Sequence, residues 1–410
     1  MTLAWISFTV AAPTPQIRTA RRSFLPALGL AALCMLSPTL SGCFLDYGDC
    51  RDPSGDTCVG PALNEEDNFK GNPTDDEAAY LYSMDEVKTY AVTLDPADWE
   101  EMQGNLESDS FEDWEEFFPG TLNFEGQIVD DIAFRFKGGW GSLASCVYKM
   151  RDPELADCDK FSFKIKFNEW DDDKRFYGLK RLNFNNMVND KARMHEVLSY
   201  SLYRDMNVPA PRATFARLEV NGEDFGVFAL VEAVDSEFIE SRFVDDQGFL
   251  FKEIWPSSLN LDDPDWLLAE RLKTRRHEYH EFRKMKEFAA ASQSMGDALF
   301  DDVMNQYMAD EAFDRYMVVD RIVENFDGIL GFYCFEGYGC ANHNFYLYEE
   351  RRGQKHWVIP WDLDLTFPTD VDPNHVDYGL ASWTDGANCD WVPTVGETYL
   401  RPASCDAMIG

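Results

Sequence analysis

Residues at four places in this chain have the types and spacing that phosphoryl transfer from a nucleotide requires. Lys160 to Phe167 alternates with period two, setting Lys160, Ser162, Lys164 and Lys166 on one strand face and Phe161, Phe163, Ile165 and Phe167 on the other. A later helical stretch carries Glu196, Asn325-Phe326-Asp327 is followed at a distance by Asn344, and Trp361-Asp362-Leu363-Asp364 closes the set after an apolar strand. In such chemistry a lysine holds phosphate oxygens and a helix glutamate positions it. One aspartate orients the attacking hydroxyl, and another, with an asparagine, holds magnesium. Magnesium takes hard oxygen ligands and keeps waters, so few carboxylates suffice. Taken singly, most of these features have plainer readings: a solvated strand face, a glutamate on a helix surface, a helix-end cap at Asn325 and Asp327. The Trp-Asp-Leu-Asp motif is hardest to explain without a ligand, because two carboxylates beside an apolar strand end are costly unless a metal or cation meets them.

The elements that must position these groups follow from pattern. Val87 to Leu94 reads as a strand, and Asp95-Pro96 opens a short helix through Trp99 and Met102. Ile128 to Phe136 is a further strand, ending in Arg135-Phe136-Lys137-Gly138-Gly139. Asp190 is placed to cap a helix over about 191–206, with Met194, Val197, Leu198 and Leu202 at helical spacing. Phe215 to Val220, the turn Asn221-Gly222 and Gly226 to Val231 form a hairpin, since Asn-Gly favours a type I′ turn. Helical stretches are expected over about 263–294 and 298–324, then a second hairpin from Asn344 to Tyr348 and Trp357 to Ile359. No internal repeat is present, and strands, then helices, then strands argue an α+β fold.

The N-terminus predicts export. Arg18, Arg21 and Arg22 precede an apolar run from Phe24 to about Leu36, too short to span a bilayer, and Leu40-Ser41-Gly42-Cys43 follows. The tetrad is similar to a bacterial lipobox, with Cys43 as the lipidated residue, and Arg21-Arg22-Ser23-Phe24-Leu25 is similar to a twin-arginine signal. Phe44 after the cysteine, in place of a retention aspartate, leans toward an outer-membrane address, facing the periplasm or the cell surface. Eight of the other cysteines fall in local couples that suit an oxidising compartment: Cys50/Cys58, Cys146/Cys158, Cys334/Cys340 and Cys389/Cys405. The rival zinc reading is weak, because no CxxC occurs and only 6 histidines are present. Net charge is −37, from 74 acidic against 37 basic residues, which repels nucleic acid and anionic headgroups. The expected organisation is a signal segment over 1–43, an acidic tether over 44–78, and a body over 79–410.

The body resembles the CotH kinase family, secreted and spore-coat relatives of protein kinases. The resemblance is carried by Phe136-Lys137-Gly138-Gly139, the Lys160–Phe167 strand, Phe176-Tyr177-Gly178-Leu179-Lys180 and Leu182-Asn183-Phe184-Asn185-Asn186. It continues through Asp190, Val208-Pro209-Ala210-Pro211, Val220-Asn221-Gly222-Glu223, Gly226-Val227-Phe228 and Val231-Glu232-Ala233-Val234-Asp235. Asn325-Phe326-Asp327, Asn344 to Tyr348 and Pro360 to Asp364 complete it. It implies an atypical protein-kinase-like bilobal fold, with a strand-rich N-lobe over about 79–235 and a helix-rich C-lobe over about 236–410, which is expected to be truncated relative to the family. It also implies ATP with Mg²⁺ or Mn²⁺, and Ser, Thr or Tyr of surface or secreted proteins as acceptor. Residue by residue, Lys160 would contact the nucleotide phosphates with Glu196 as its partner. Val231 and Glu232 would border the adenine, Asp327 would be the catalytic aspartate, and Asn344 and Asp362, supported by Asp364, would hold the metal. The pattern departs from the family in the loop over 328–343 and in lacking a GxGxxG loop, whose part Phe136 to Gly141 would take. Free ATP is scarce outside cells, and with these departures that keeps open a non-catalytic pseudokinase scaffold or adhesion module. A calcium-dependent polysaccharide binder would rest on the acidic surface alone.

Overall fold

The computed structural model describes residues 62–139, 143–151, 160–274, 282–296, 299–325, 327–329, 333–335, 339–367, 394–395 and 398–400. The chain divides into two units, Met1–Cys58 and Val59–Gly410. The first lies outside the described residues, and with it Cys43, Cys50 and Cys58; Cys158, Cys389 and Cys405 also fall outside them. No helix among the described residues is long and apolar enough to cross a membrane.

Seven strands form a closed barrel: β1 Lys88–Leu94, β2 Phe118–Phe124, β3 Gln127–Lys137, β4 Ser162–Lys166, β5 Arg181–Asn185, β6 Ala213–Val220 and β7 Glu223–Val231. Their order is β1-β2-β3-β4-β5-β7-β6, every pair antiparallel except β1 with β6, which closes the barrel in parallel. The expected period of two holds in β4, where Phe163 and Ile165 are fully buried inside. Opposed residues share a face, so Phe134 and Phe136 of β3 and Leu182 and Phe184 of β5 join them. This interior is aromatic: Phe134 and Phe163 stack at 5.2 Å, and Tyr90 meets Phe124 at 4.7 Å. The β6–β7 turn has positive φ at both Asn221 (50°) and Gly222 (81°), as a type I′ turn demands.

A second core lies against the outer face of β5, β6 and β7, through Ala213, Ala229 and Val231. It contains the helices His195–Asp205, Ser236–Arg242, Arg283–Ser294 and Asp310–Ile322, and an antiparallel sheet of β8 Phe249–Lys252, β11 Phe345–Glu349 and β12 His356–Pro360, with β11 central. Every residue of β11 and β12 is buried, as strands covered on both faces must be. The short strands β9 Tyr333–Phe335, β10 Gly339–Ala341, β13 Thr394–Val395 and β14 Thr398–Leu400 form a separate sheet of order β10-β9-β14-β13, in which Cys340 stands directly opposite Cys334. The architecture is α+β, with a large strand-rich component.

Several sequence expectations need correction. The tether was expected to run to 78, but from Asn64 the described chain is folded. Asn68 is fully buried and donates to Glu350 Oε1 (2.6 Å), and the Phe69 ring lies 5.7 Å from those of Phe243 and Trp357. The helix expected from about 191 starts at His195, because the Asp190 carboxylate accepts from the Arg193 and His195 amides (2.7 and 2.6 Å) and holds a turn before it. The stretch 298–324 is two helices, Phe300–Tyr307 and Asp310–Ile322, broken where the Ala309 amide donates to the His356 carbonyl of β12 (2.9 Å). The stretch 263–294 is likewise interrupted, with Leu272 bridging to Phe251 after the Asp265–Ala269 helix.

The His195–Asp205 and Asp310–Ile322 helices are tied by Tyr203, whose hydroxyl donates to the buried Asp320 (2.7 Å). Burial pushes the Asp320 carboxyl up to about 6, against the opposing hydrogen bonds from Tyr203 and Asn325. An acid raised on folding stabilises the native state below its ordinary pKa and loses that contribution as pH rises through the folded value. Asp320→Asn keeps an acceptor without the charge. It is therefore expected to gain on the order of 2–3 kcal/mol relative to wild type as pH goes from about 4 to about 7, read from urea midpoints at each pH.

Candidate active site

Where β3 and β5 end against the His195–Asp205 helix, the fold gathers charge. Glu196 is in the first turn of that helix, which lays it inward: it is 2 % exposed, not on the helix surface. Asn185, at the end of β5, donates to Glu196 Oε1 (2.7 Å), while Glu196 Oε2 is buried with no hydrogen-bond partner. Burial first, then Asp364 and Asp362, push the Glu196 carboxyl well above its ordinary value, with Lys137 and Asn185 opposing. Asp364 is pushed up to about 7, by burial and then by Asp362, while the Asn189 amide, donating at 3.0 Å, and Lys137 pull it down.

The Asp-Leu-Asp turn leaves β12 under backbone constraint. Asp362 is left-handed (φ 56°, ψ 61°), and its amide meets the Tyr200 hydroxyl of the helix (3.1 Å). Asn344, at the entry to β11, is also left-handed (φ 58°). Its carbonyl accepts from the Trp361 amide (3.1 Å), and its side-chain amide donates to Asp327 at both the carbonyl (3.0 Å) and Oδ2 (2.8 Å). Asp and Asn tolerate this conformation better than other residues, and such positions concentrate at functional sites. His195 fixes the turn from the other side, its ring nitrogens 3.0 Å from the Asp364 carbonyl and 3.2 Å from Asp190.

The structure thus brings together Glu196, Asp362 and Asp364, and ties Asp327 to Asn344 across the 328–343 loop. It does not bring Lys160 to them. Lys160 precedes β4, and its ammonium donates to the Val227 carbonyl (2.6 Å) above the Phe228 ring (3.5 Å). Burial, then Arg193, pull it down to about 8, with Asp224 opposing. The lysine at the cluster is Lys137, the last residue of β3. It donates to Asn185 Oδ1 (2.7 Å), lies 5.6 Å from the Trp361 ring, and has Asp362 and Glu196 as its attractive neighbours against the cost of burial. Its signal was Phe136-Lys137-Gly138-Gly139, but only the β3–β4 register shows that Lys137 shares the lysine face.

Val231 is buried in β7, and its carbonyl accepts from Asn183 (3.1 Å). Glu232 serves the framework: Arg212 and Arg242 hold it at 2.7 and 2.6 Å, and both guanidiniums outweigh burial to bring its carboxyl down to about 2. Cys146 is buried, its sulfur 3.7 Å from the Lys160 carbonyl. No group of three or more His, Cys, Asp or Glu among the described residues is arranged to hold a metal. The donors at hand for a divalent cation are hard oxygens of Asp362, Asp364 and Asn344, beside the orphaned Glu196 Oε2, a set that suits an ion keeping most of its waters.

Residues 134–400 match the family model described as CotH kinase protein. The chain belongs to the CotH kinase family. It is also similar to the inner spore coat protein H of Bacillus subtilis (strain 168), 24% identical over 224 residues that cover 54% of this chain and 58% of that protein. The match spans less than two thirds of that relative's length.

Gly328, next to Asp327, stands where a side chain has no room. A Cβ there would lie 2.1 Å from Asn325 Nδ2 and 3.1 Å from Asp320 Oδ1. Gly328→Ala is expected to cost about 1–3 kcal/mol by crowding a closed site, measured as a lowered denaturant midpoint.

Proposed function

We propose that this protein is a phosphotransferase that uses ATP and a divalent cation to phosphorylate Ser, Thr or Tyr side chains of surface or secreted proteins, on a kinase-like bilobal frame. The observation that carries the reading is the convergence of Lys137, Glu196, Asp362 and Asp364, with Asp327 tied to Asn344, in a chain of the CotH family. Lys137 is proposed to hold nucleotide phosphate, with Glu196 and Asn185 positioning it. Asp362, Asn344 and Asp364 would hold Mg²⁺ or Mn²⁺, which when bound supplies electrostatic stabilisation of phosphate charge. Asp327 would orient the acceptor hydroxyl, its carboxylate held by the Asn344 amide. Two assignments made from the resemblance change: Lys160 is occupied at β7, and the carboxylate of Glu232 is committed to two arginines, so neither is given a nucleotide contact.

Export is part of the proposal. Its supports are the segment ending at Cys43, with lipid there as the membrane attachment, the cysteine couples, and the similarity to a spore coat protein. The outer membrane is the favoured address.

A second reading, a non-catalytic scaffold or adhesion module, is favoured by one observation: no ion pair joins Lys137 to Glu196 within 4.0 Å, so the site as it stands is not a closed Lys–Glu pair. Transfer from labelled ATP with Mg²⁺ or Mn²⁺ to an acidic test protein separates the two readings. The expected outcome is label incorporation that falls at least about 10²-fold in Asp362→Ala and in Lys137→Ala, and stays near the wild-type rate in Lys160→Ala. Equal labelling by wild type and Asp362→Ala would refute the phosphotransferase.

A further inference from the structure

We propose that the outer face of β3, β4 and β5 is an anion-binding tray centred on Lys164, which takes a phosphate-class oxyanion beside the one held at Lys137. The inference rests on the phosphotransferase reading for its context and deepens it by naming a ligand group at the adjoining surface.

Arg135 of β3 stands directly opposite Lys164 of β4, and Lys166 of β4 directly opposite Arg181 of β5. These are two like-charge cross-strand pairs side by side, in a chain whose net charge is −37. Like charges directly opposite each other destabilise a sheet, so a surface that keeps two such pairs needs an anion to offset them. Part of the offset is internal. Glu115 pairs with Arg135 (2.5 Å), Asp235 with Arg181 (3.1 Å), and Glu169 with Lys166. Lys137, next along the same face of β3, donates a hydrogen bond to Asn185 Oδ1. Lys164 alone of these five cations makes neither ion pair nor hydrogen bond with the described residues, although it is only partly exposed. Burial, then Arg135, Lys137 and Arg181, pull its ammonium well below the ordinary lysine value, with Glu115 opposing.

Strands about 4.8 Å apart carry these groups, so ammonium and guanidinium donors from neighbouring strands can converge on one tetrahedral oxyanion. Arginine forks and lysine point charges are the usual means of holding phosphate. The Asn183 amide, opposite Lys164 on β5, is directed to the Val231 carbonyl and so fixes the floor of the tray rather than serving the ligand. A phosphate group can reach the tray from two sources: the polyphosphate tail of a nucleotide, or a side chain of the acceptor that is already phosphorylated.

Titration calorimetry on the full chain distinguishes them, with three probes: tripolyphosphate, a non-hydrolysable ATP analogue with Mg²⁺, and a phosphoserine peptide. Wild type is compared with Lys164→Met and Lys164→Arg. The expected result is that at least one probe loses tenfold or more in affinity in Lys164→Met and recovers it in Lys164→Arg. Loss for the ATP analogue with tripolyphosphate assigns the tray to the nucleotide; loss for the phosphopeptide assigns it to the acceptor. Because Lys164→Met removes an ammonium that faces other cations, its thermal midpoint without ligand is expected to equal or exceed that of wild type. A marked fall in that midpoint would make Lys164 a structural residue and overturn the proposal. So would absence of binding by wild type, or unchanged affinity for all three probes. Lys164-dependent binding without any phosphoryl transfer would sink the phosphotransferase and leave the tray standing. Transfer that depends on Asp362, with affinities indifferent to Lys164, would do the reverse.

Discussion

Everything at the candidate site depends on one electrostatic constraint: like charges are concentrated on both sides of the junction between the barrel and the second core, and the protein only partly neutralises them. Lys137 on the barrel side faces Glu196, Asp362 and Asp364 on the other. Burial, and then the repulsion among these carboxylates, push Asp364 up to about 7 and Glu196 well above its ordinary value. Such an arrangement costs stability unless a ligand shares the charge. A divalent cation on the carboxylates and a phosphate on the lysines would relieve both sides at once. That is the physical sense in which the geometry fits nucleotide chemistry.

The fold maintains this tension by stiff means. A closed barrel has no free edge to yield, and its aromatic interior fixes the register that puts Lys137 opposite Ser162 and Lys164 opposite Arg135. Asn185 connects the two sides, accepting from Lys137 through Oδ1 and donating to Glu196 through Nδ2. Asp362 and Asn344 hold left-handed backbone that an ordinary side chain would resist, and Tyr200, Trp361 and His195 pin the turn between β12 and the helix. Farther back, Glu232 shows the contrasting solution. Two arginines surround it, its charge is fully met, and nothing is left for a ligand.

The local elements were legible in the sequence where local physics decides them. The alternation in Lys160 to Phe167, the Asn221-Gly222 turn and the Asp95-Pro96 helix start all correspond to observed elements, because each is set by neighbours in the chain. The carboxylate end of the site was legible for the same reason: Asp362 and Asp364 directly follow an apolar strand. The choice of lysine was not. Lys137 and Lys160 both flank Phe-rich alternation, and only the pairing of β3 with β4 shows which one ends at the carboxylates. The burial of Glu196, the two helix breaks and the ordered segment around Phe69 were hidden likewise. Each follows from a partner hundreds of residues away or on another strand, such as Glu350 for Asn68 and His356 for Ala309. The like-charge pairs of the tray are also products of register.

A crystal structure with a non-hydrolysable ATP analogue and Mn²⁺ tests the central claim most directly, through the anomalous signal of the metal and the position of the phosphates. The account predicts manganese density bounded by Asp362 and Asn344, and phosphate oxygens within hydrogen-bond distance of Lys137, with Lys160 still on the Val227 carbonyl. Phosphates on Lys160, or metal bound away from Asp362, would contradict it.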